Sequence, residues 1–179
     1  MLKVIEKPEI QAISLEDVKV HLRLDHAEED QYLIHLIETA TEYVERYLNR
    51  CLLKQKLSFT DQGKTNKDGF LEIKLPRPNI ISIDRVTSMR SGSARYIVKR
   101  YQLVDADINP TLTLYAKDAF VEIVYHSGYG VYPNHRPSPI KHALLLMVAD
   151  LYENRGGEGV SQSSFYKTLL EPYRARGLA

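Results

Sequence analysis

The residues equipped for chemistry in this sequence are six histidines, one cysteine and a row of carboxylates. The histidines are His21, His26, His35, His126, His135 and His142. No two of them stand four residues apart with an accompanying glutamate, the spacing by which a helix presents two imidazoles and a general base to zinc. His21 and Asp25 do have that spacing, but at a helix end, where a capping or solvated role is expected. Cys51 follows a helix with no base beside it to take its proton, so a buried structural thiol is expected. Glu38, Glu42 and Glu45 line one helical face. Paired carboxylates do acid–base work only when buried together. Here Glu42 can pair with Arg46 four residues on, as on a solvated face. Gly128-Tyr129-Gly130 leads into prolines instead of a helix N-terminus, and Gly156-Gly157-Glu158-Gly159 follows no strand, so neither tract is a phosphate cradle. No catalytic residue, metal or cofactor is expected, and the chain is read as a non-enzyme.

The bulk properties fit that reading. The 179 residues are 44% hydrophobic and 26% charged, ordinary values for one globular domain or one with a small insert. The longest apolar run, Ala143 to Ala149, is far short of the ~20 residues that span a bilayer. The start, MLKVIEKPEI, lacks a signal-peptide core, and a single cysteine excludes an internal disulfide framework, so a cytosolic setting is expected. Charge is uneven. Residues 1–50 carry 6 basic and 11 acidic side chains, residues 51–128 carry 12 and 8, and residues 129–179 carry 6 and 4. An acidic front and a basic middle suit docking on copies of the chain or on partners of opposite sign.

The elements that position these side chains show in the periodicity. Ser14 reads as a helix cap with Asp17 completing a capping box, and Leu15, Val18, Leu22 and Leu24 fit one short helix. Asp25 is expected to cap a second helix, with Glu28, Glu29 and Asp30 at its positive end. Tyr32, Leu33, Leu36, Ile37, Ala40, Tyr43, Val44, Tyr47 and Leu48 then keep 3.6-residue spacing to Asn49. From Lys54 the period changes to alternation through Leu57, Phe59, Leu71, Ile73, Leu75, Ile81, Ile83, Leu112, Leu114 and Val121, about six short strands in a small antiparallel sandwich or barrel. Turns are expected at Gly63–Gly69, Ser91–Ser93 and Asn109-Pro110. Ser138 with Pro139 starts a helix running to Asn154 that is apolar almost all round, and is therefore expected to be buried all round. After the glycine break a last short helix places Phe165, Leu169 and Leu170 on one face.

Two nucleic-acid readings follow from the residues. A helix-turn-helix is excluded because its second helix would begin with Glu28, Glu29 and Asp30, which repel phosphate. The basic middle segment mixes Lys64, Lys67, Arg90, Arg95, Lys99 and Arg100 with Tyr96 and Tyr101, as a nucleic-acid-binding module would.

The order of several short motifs resembles a known family. Ser14-Leu15-Glu16-Asp17-Val18-Lys19-Val20-His21-Leu22-Arg23-Leu24-Asp25 precedes Glu28-Glu29-Asp30 and a helix with Ala40, Tyr43, Val44 and Glu45. Tyr125-His126-Ser127-Gly128-Tyr129 precedes Pro139-Ile140-Lys141-His142-Ala143 and Leu151-Tyr152-Glu153-Asn154-Arg155. Leu169-Leu170-Glu171-Pro172-Tyr173-Arg174 closes the series. Together these resemble the tailed-phage head–tail connector proteins, also called adaptors or head-completion proteins, in the longer form found in prophages and gene-transfer particles. The resemblance covers roughly residues 12–50 and 121–176. It implies an α+β fold with a helical connector core at 12–50 and 129–176 and an inserted β-rich domain at 54–128. It implies a structural protein of a virion or prophage-derived particle, assembled in the bacterial cytoplasm without contact with a membrane. Identical subunits would form a ring, twelve copies when docked, between the portal protein and the tail or stopper protein, with packaged DNA passing through. In such a ring Phe165, Leu169, Tyr173, Arg174 and Arg176 are expected to meet the portal, and deletion of residues 160–179 to leave the fold intact. Lys64, Lys67, Arg90, Arg95, Lys99 and Arg100 are expected to face DNA or a neighbouring subunit.

Overall fold

The computed structural model describes residues 1–89, 95–115, 120–155 and 164–175. They divide into two compact units, one on Met1–Pro8 and Asn49–Tyr129, the other on Glu9–Leu48 and Gly130–Arg174.

The first unit is all β. Its strands are β1 (Leu2–Glu6), β2 (Gln55–Asp61), β3 (Lys64–Thr65), β4 (Leu71–Lys74), β5 (Ile80–Met89), β6 (Tyr96–Ile97), β7 (Tyr101–Val104), β8 (Thr111–Leu114) and β9 (Phe120–Ser127). They form two antiparallel sheets, ordered β1-β2-β9-β5-β6 and β3-β4-β8-β7. Alternation is clean on β4, where Leu71 and Ile73 are buried while Glu72 and Lys74 are exposed. Their partners across the ladder, Leu114 and Leu112, are buried too. Leu57, Val86, Val121, Ile123 and Tyr125 of the first sheet share one core with Leu71, Ile73, Leu112 and Leu114 of the second. The unit is therefore a two-layer sandwich and not a closed barrel. Fully burying each such side chain stabilises by ~1.5–3 kcal/mol.

Two differences from the sequence reading have physical causes. Strand β1 carries no alternation, because only Leu2 packs on the core while Val4 and Ile5 are exposed. It is held by pairing with β2, Val4 opposite Leu57, with a bulge before Glu6. The polar Gly63–Gly69 stretch contains β3, since Lys64 and Thr65 pair with Glu72 and Leu71 before the turn closes on Asn66. The Asn66 side chain accepts the amides of Asp68 and Phe70 at 3.0 Å each. Ser91–Ser93 lies outside the described residues.

The second unit is helical: α1 (Leu15–Leu22), α2 (Asp30–Leu48), α3 (Ser138–Glu153) and α4 (Ser164–Leu170). Ser14 accepts the Asp17 amide at 3.1 Å, as its type and place require. Arg23 at φ 58° ends α1, so Leu24 falls outside it. Helix α2 begins at Asp30, not after Asp25, because its ladder opens with the Leu33 amide on the Glu29 carbonyl, 2.9 Å. Its buried stripe is Leu33, Leu36, Ile37, Ala40, Val44 and Leu48, while the expected Tyr32 and Tyr47 are only half-buried and Tyr43 is exposed at the margins of the stripe. Ser138 is the first residue of α3 rather than its cap, and Pro137 stands before it. Helix α3 buries Ile140, Ala143, Leu144, Met147 and Val148, but Leu145, Leu146 and Leu151 are only half-buried. Helices α1, α2 and α4 all pack on α3, yet they leave one flank of an all-round apolar helix partly open. On α4 the buried side chains are Tyr166 and Leu170, four residues apart, and this turns Phe165 outward at 58% exposure.

Candidate assembly interface

Side chains at α1 and the ends of α2 and α3 tie the helical unit together. Asp17 in the first turn of α1 accepts from Lys141 of α3 at 2.7 Å. That bond, with help from Ser14, holds the Asp17 carboxyl below its usual value. Lys19 binds Asp30 at 2.7 Å. Glu29 accepts from the Tyr152 hydroxyl and from Arg155. The Tyr152 bond, then the Arg155 bond, hold the carboxyl low, and the same contact pushes the phenol up. The Arg155 guanidinium also lies 4.7 and 4.8 Å from the ring centres of Tyr32 and Tyr152, a stacked and paired arginine. Tyr152 in the last turn of α3 and Arg155 just beyond its end are three residues apart, which is the signal that could have marked them; their partners stand more than 120 residues away in the chain.

The expected portal residues divide. Phe165 is exposed, and Leu169 and Tyr173 are half-buried. Arg174 is exposed with its guanidinium 5.2 Å from the Tyr47 ring centre. Next to it the Tyr47 hydroxyl donates to Glu171 at 2.8 Å, and burial, then that bond, push the phenol up. Arg176 lies outside the described residues. Because Tyr166 and Leu170 are buried in the helical unit, deleting residues 160–179 would strip away part of its core, contrary to the sequence expectation.

The expected basic set also divides. Lys64 and Lys67 belong to β3 and its turn, at one edge of the four-stranded sheet, with Glu72 directly across from Lys64. Lys99 and Arg100 precede β7 at the opposite edge, with Arg95 just before β6. Three inter-strand steps of ~4.8 Å separate those edges, about 14 Å. All five are exposed, and Arg90 lies outside the described residues.

No cluster of three His, Cys, Asp or Glu side chains among the described residues is arranged to hold a metal, and no described helix is long and apolar enough to cross a membrane. His126 Nδ1 sits 3.1 Å from Asp84 and 3.2 Å from Ser82 Oγ. Both contacts fall on one ring nitrogen, so the trio lacks the relay in which serine and aspartate use different nitrogens. Cys51 is buried and forms no disulfide. The Tyr125–Tyr129 motif is a packing device. Tyr125 is fully buried and donates to the Pro76 carbonyl at 2.6 Å, and burial pushes its phenol far up. Gly128, at φ +140°, lies so close to the Leu53–Lys54 peptide that a Cβ would stand 2.6 Å from the Leu53 carbonyl carbon.

One buried group has no sequence signal. Arg136, just before α3, is 6% exposed, and none of its three guanidinium nitrogens has a hydrogen-bond partner among the described residues.

The model of the head completion protein family matches residues 11–161. The chain belongs to that family. The match runs through the β unit as well as both helical segments, and the family is a structural one rather than a family of enzymes. Similar solved structures come from gene transfer agent (GTA) particles. A chain from the neck of an empty particle, computed with C6 symmetry, has a TM-score of 0.81 at 19% identity. One from the virion of the native particle has 0.82 at 18%, and one from the native neck with C12 symmetry 0.81 at 17%. Each covers 100% of this chain and 97% of its own, so both units of this head completion protein share their fold. No curated protein matches.

Proposed function

We propose that this head completion protein is a ring-forming structural component of a particle neck. Its copies sit between the portal and the tail or stopper protein and extend the channel through which DNA passes. Membership of the family across residues 11–161 carries the reading. Likeness over the whole chain to subunits of particle necks computed with C6 and C12 symmetry supports it. So does the charge division: residues 1–8 and 49–129 carry 15 basic and 9 acidic side chains, residues 9–48 and 130–174 carry 8 and 14. Opposite net charges of six on two units of one subunit favour association of copies.

The portal contact is assigned to the end of the helical unit, where Phe165 and Arg174 are exposed and Leu169 and Tyr173 partly so. The test is electron microscopy of the protein mixed with its portal, comparing wild type with a Phe165→Ala/Arg174→Glu variant whose circular dichroism is unchanged. Wild type should add a ring to the portal and the variant should not. A portal that gains no density from wild-type protein overturns the function, and a variant that docks as well as wild type overturns the assignment of the contact.

A further inference from the structure

A ring with cyclic symmetry needs two different surfaces on each subunit, each fitting the other. The structure has two that match. The first is the open side of the sandwich where β6 ends one sheet and β7 ends the other. Residues 95–104 hold three cations and no acid. Arg95, Lys99 and Arg100 are exposed and have no ion-pair partner among the described residues. Among them Ile97 is 64% exposed, and Val104 at the end of β7 is 49% exposed. An exposed apolar strand edge can pair with another chain, and the cations on this one repel a like-charged partner and favour an acidic one.

The second surface is the outward face of α1. Three carboxylates of the helical unit are neutralised within it: Asp17 by Lys141, Asp30 by Lys19 and Glu29 by Arg155. Glu16 and Asp25 are exposed and unpaired among the described residues. Val20, on the same helical face as Glu16 four residues earlier, is 74% exposed. Helix α1 offers Glu16 and Val20, and Asp25 follows two residues beyond its C-cap Arg23; acid, valine and acid complement a strand edge offering cations and aliphatic side chains.

We infer that the β6–β7 edge of one copy docks on the α1 face of the next. This rests on the ring reading above and names its contact. DNA is the rival occupant of the same edge, but phosphate gives Ile97 and Val104 nothing to bury against, and three cations make a modest phosphate site.

The experiment is sedimentation velocity of the full chain over a concentration series, at 0.15 M and 1 M salt. Lys99→Glu/Arg100→Glu and Glu16→Lys/Asp25→Lys are each expected to weaken self-association by at least about tenfold, since they set like charges against each other. The chain carrying all four reversals is expected to recover most of that loss. High salt should weaken wild type as well, because screening shortens to about 3 Å at 1 M. Circular dichroism checks that every variant folds. Reversals without effect, or a fourfold variant that stays weak, overturn the contact. So does a wild-type chain that remains monomeric to millimolar concentration, a result that leaves the neck assignment to be judged on the portal experiment. Retention of duplex DNA at low salt that is lost in Lys99→Glu/Arg100→Glu, with self-association unaltered, overturns it in favour of the nucleic-acid reading.

Discussion

Replacing Arg136 by methionine should make the protein more stable. Arg136 is 6% exposed and its guanidinium nitrogens have no hydrogen-bond partner among the described residues. Burial lowers its pKa to about 10, well below the ordinary arginine value, with Asp17 opposing the shift. A drop of about 2.5 at ~1.36 kcal/mol per pKa unit corresponds to about 3 kcal/mol of cost to the folded state. The folded value lies below the unfolded one, so that cost applies in full below about pH 10 and fades as pH rises from there toward the ordinary arginine value. At neutral pH all of it is present. Methionine keeps an unbranched apolar stem in the same space and carries no charge. Replacing buried, poorly compensated charges by apolar side chains is known to be neutral or stabilising by ~1–4 kcal/mol. The expected gain for Arg136→Met is therefore roughly 1–3 kcal/mol, or ~2–4 °C in thermal midpoint for each kcal/mol in a chain of this size. Arg136→Lys keeps the charge and should gain nothing. The assay is urea denaturation at pH 7 followed by far-ultraviolet circular dichroism, with an unchanged slope required before midpoints are compared. A methionine variant less stable than wild type by more than about 1 kcal/mol would refute the reasoning, since it would mean that the guanidinium is satisfied in the native protein.

Two further substitutions check the local arguments. Gly128→Ala should destabilise the β unit by roughly 3 kcal/mol or more, because φ is +140° and the new Cβ would press on the Leu53–Lys54 peptide; a loss under about 1 kcal/mol in denaturant titration would contradict that geometry. Asp17→Asn should cost about 1 kcal/mol at pH 7, as it weakens both the capping box and the Lys141 pair, whose partly exposed partners are screened by water. Because the Asp17 carboxyl is held below its ordinary value of 3.8, its contribution is present above that value and disappears as pH falls through the lowered one. Wild type and variant should thus converge in acid, and a gap that persists there would assign the loss to something other than the charge.

Much of the molecule is legible in the sequence because periodicity records burial against a single surface. The Leu33–Leu48 stripe of α2, the Ser14 cap and the alternation of Leu71, Ile73, Leu112 and Leu114 all follow from local chemistry. Hence the α+β class, the helical ends and the strands between them are read from the residues alone, and the order of the short motifs points to the family that the chain belongs to. Pairing between distant segments was decided elsewhere. Strand β1 has no pattern of its own and exists because β2, more than fifty residues on, supplies its hydrogen bonds. The open flank of α3 depends on which side its neighbours cover, not on its composition. Phe165 faces outward because Tyr166 and Leu170 claim the buried side of α4. The basic set, continuous in composition, is divided between opposite edges of a sheet because strand order separates β3 from β7. Arg136 gives no warning, since an isolated charge is costly only once the fold has closed over it. Residue types and spacing determine which elements form and which face each of them buries. Only the tertiary structure decides which edges and faces remain open to a partner, because that depends on contacts that no local pattern encodes.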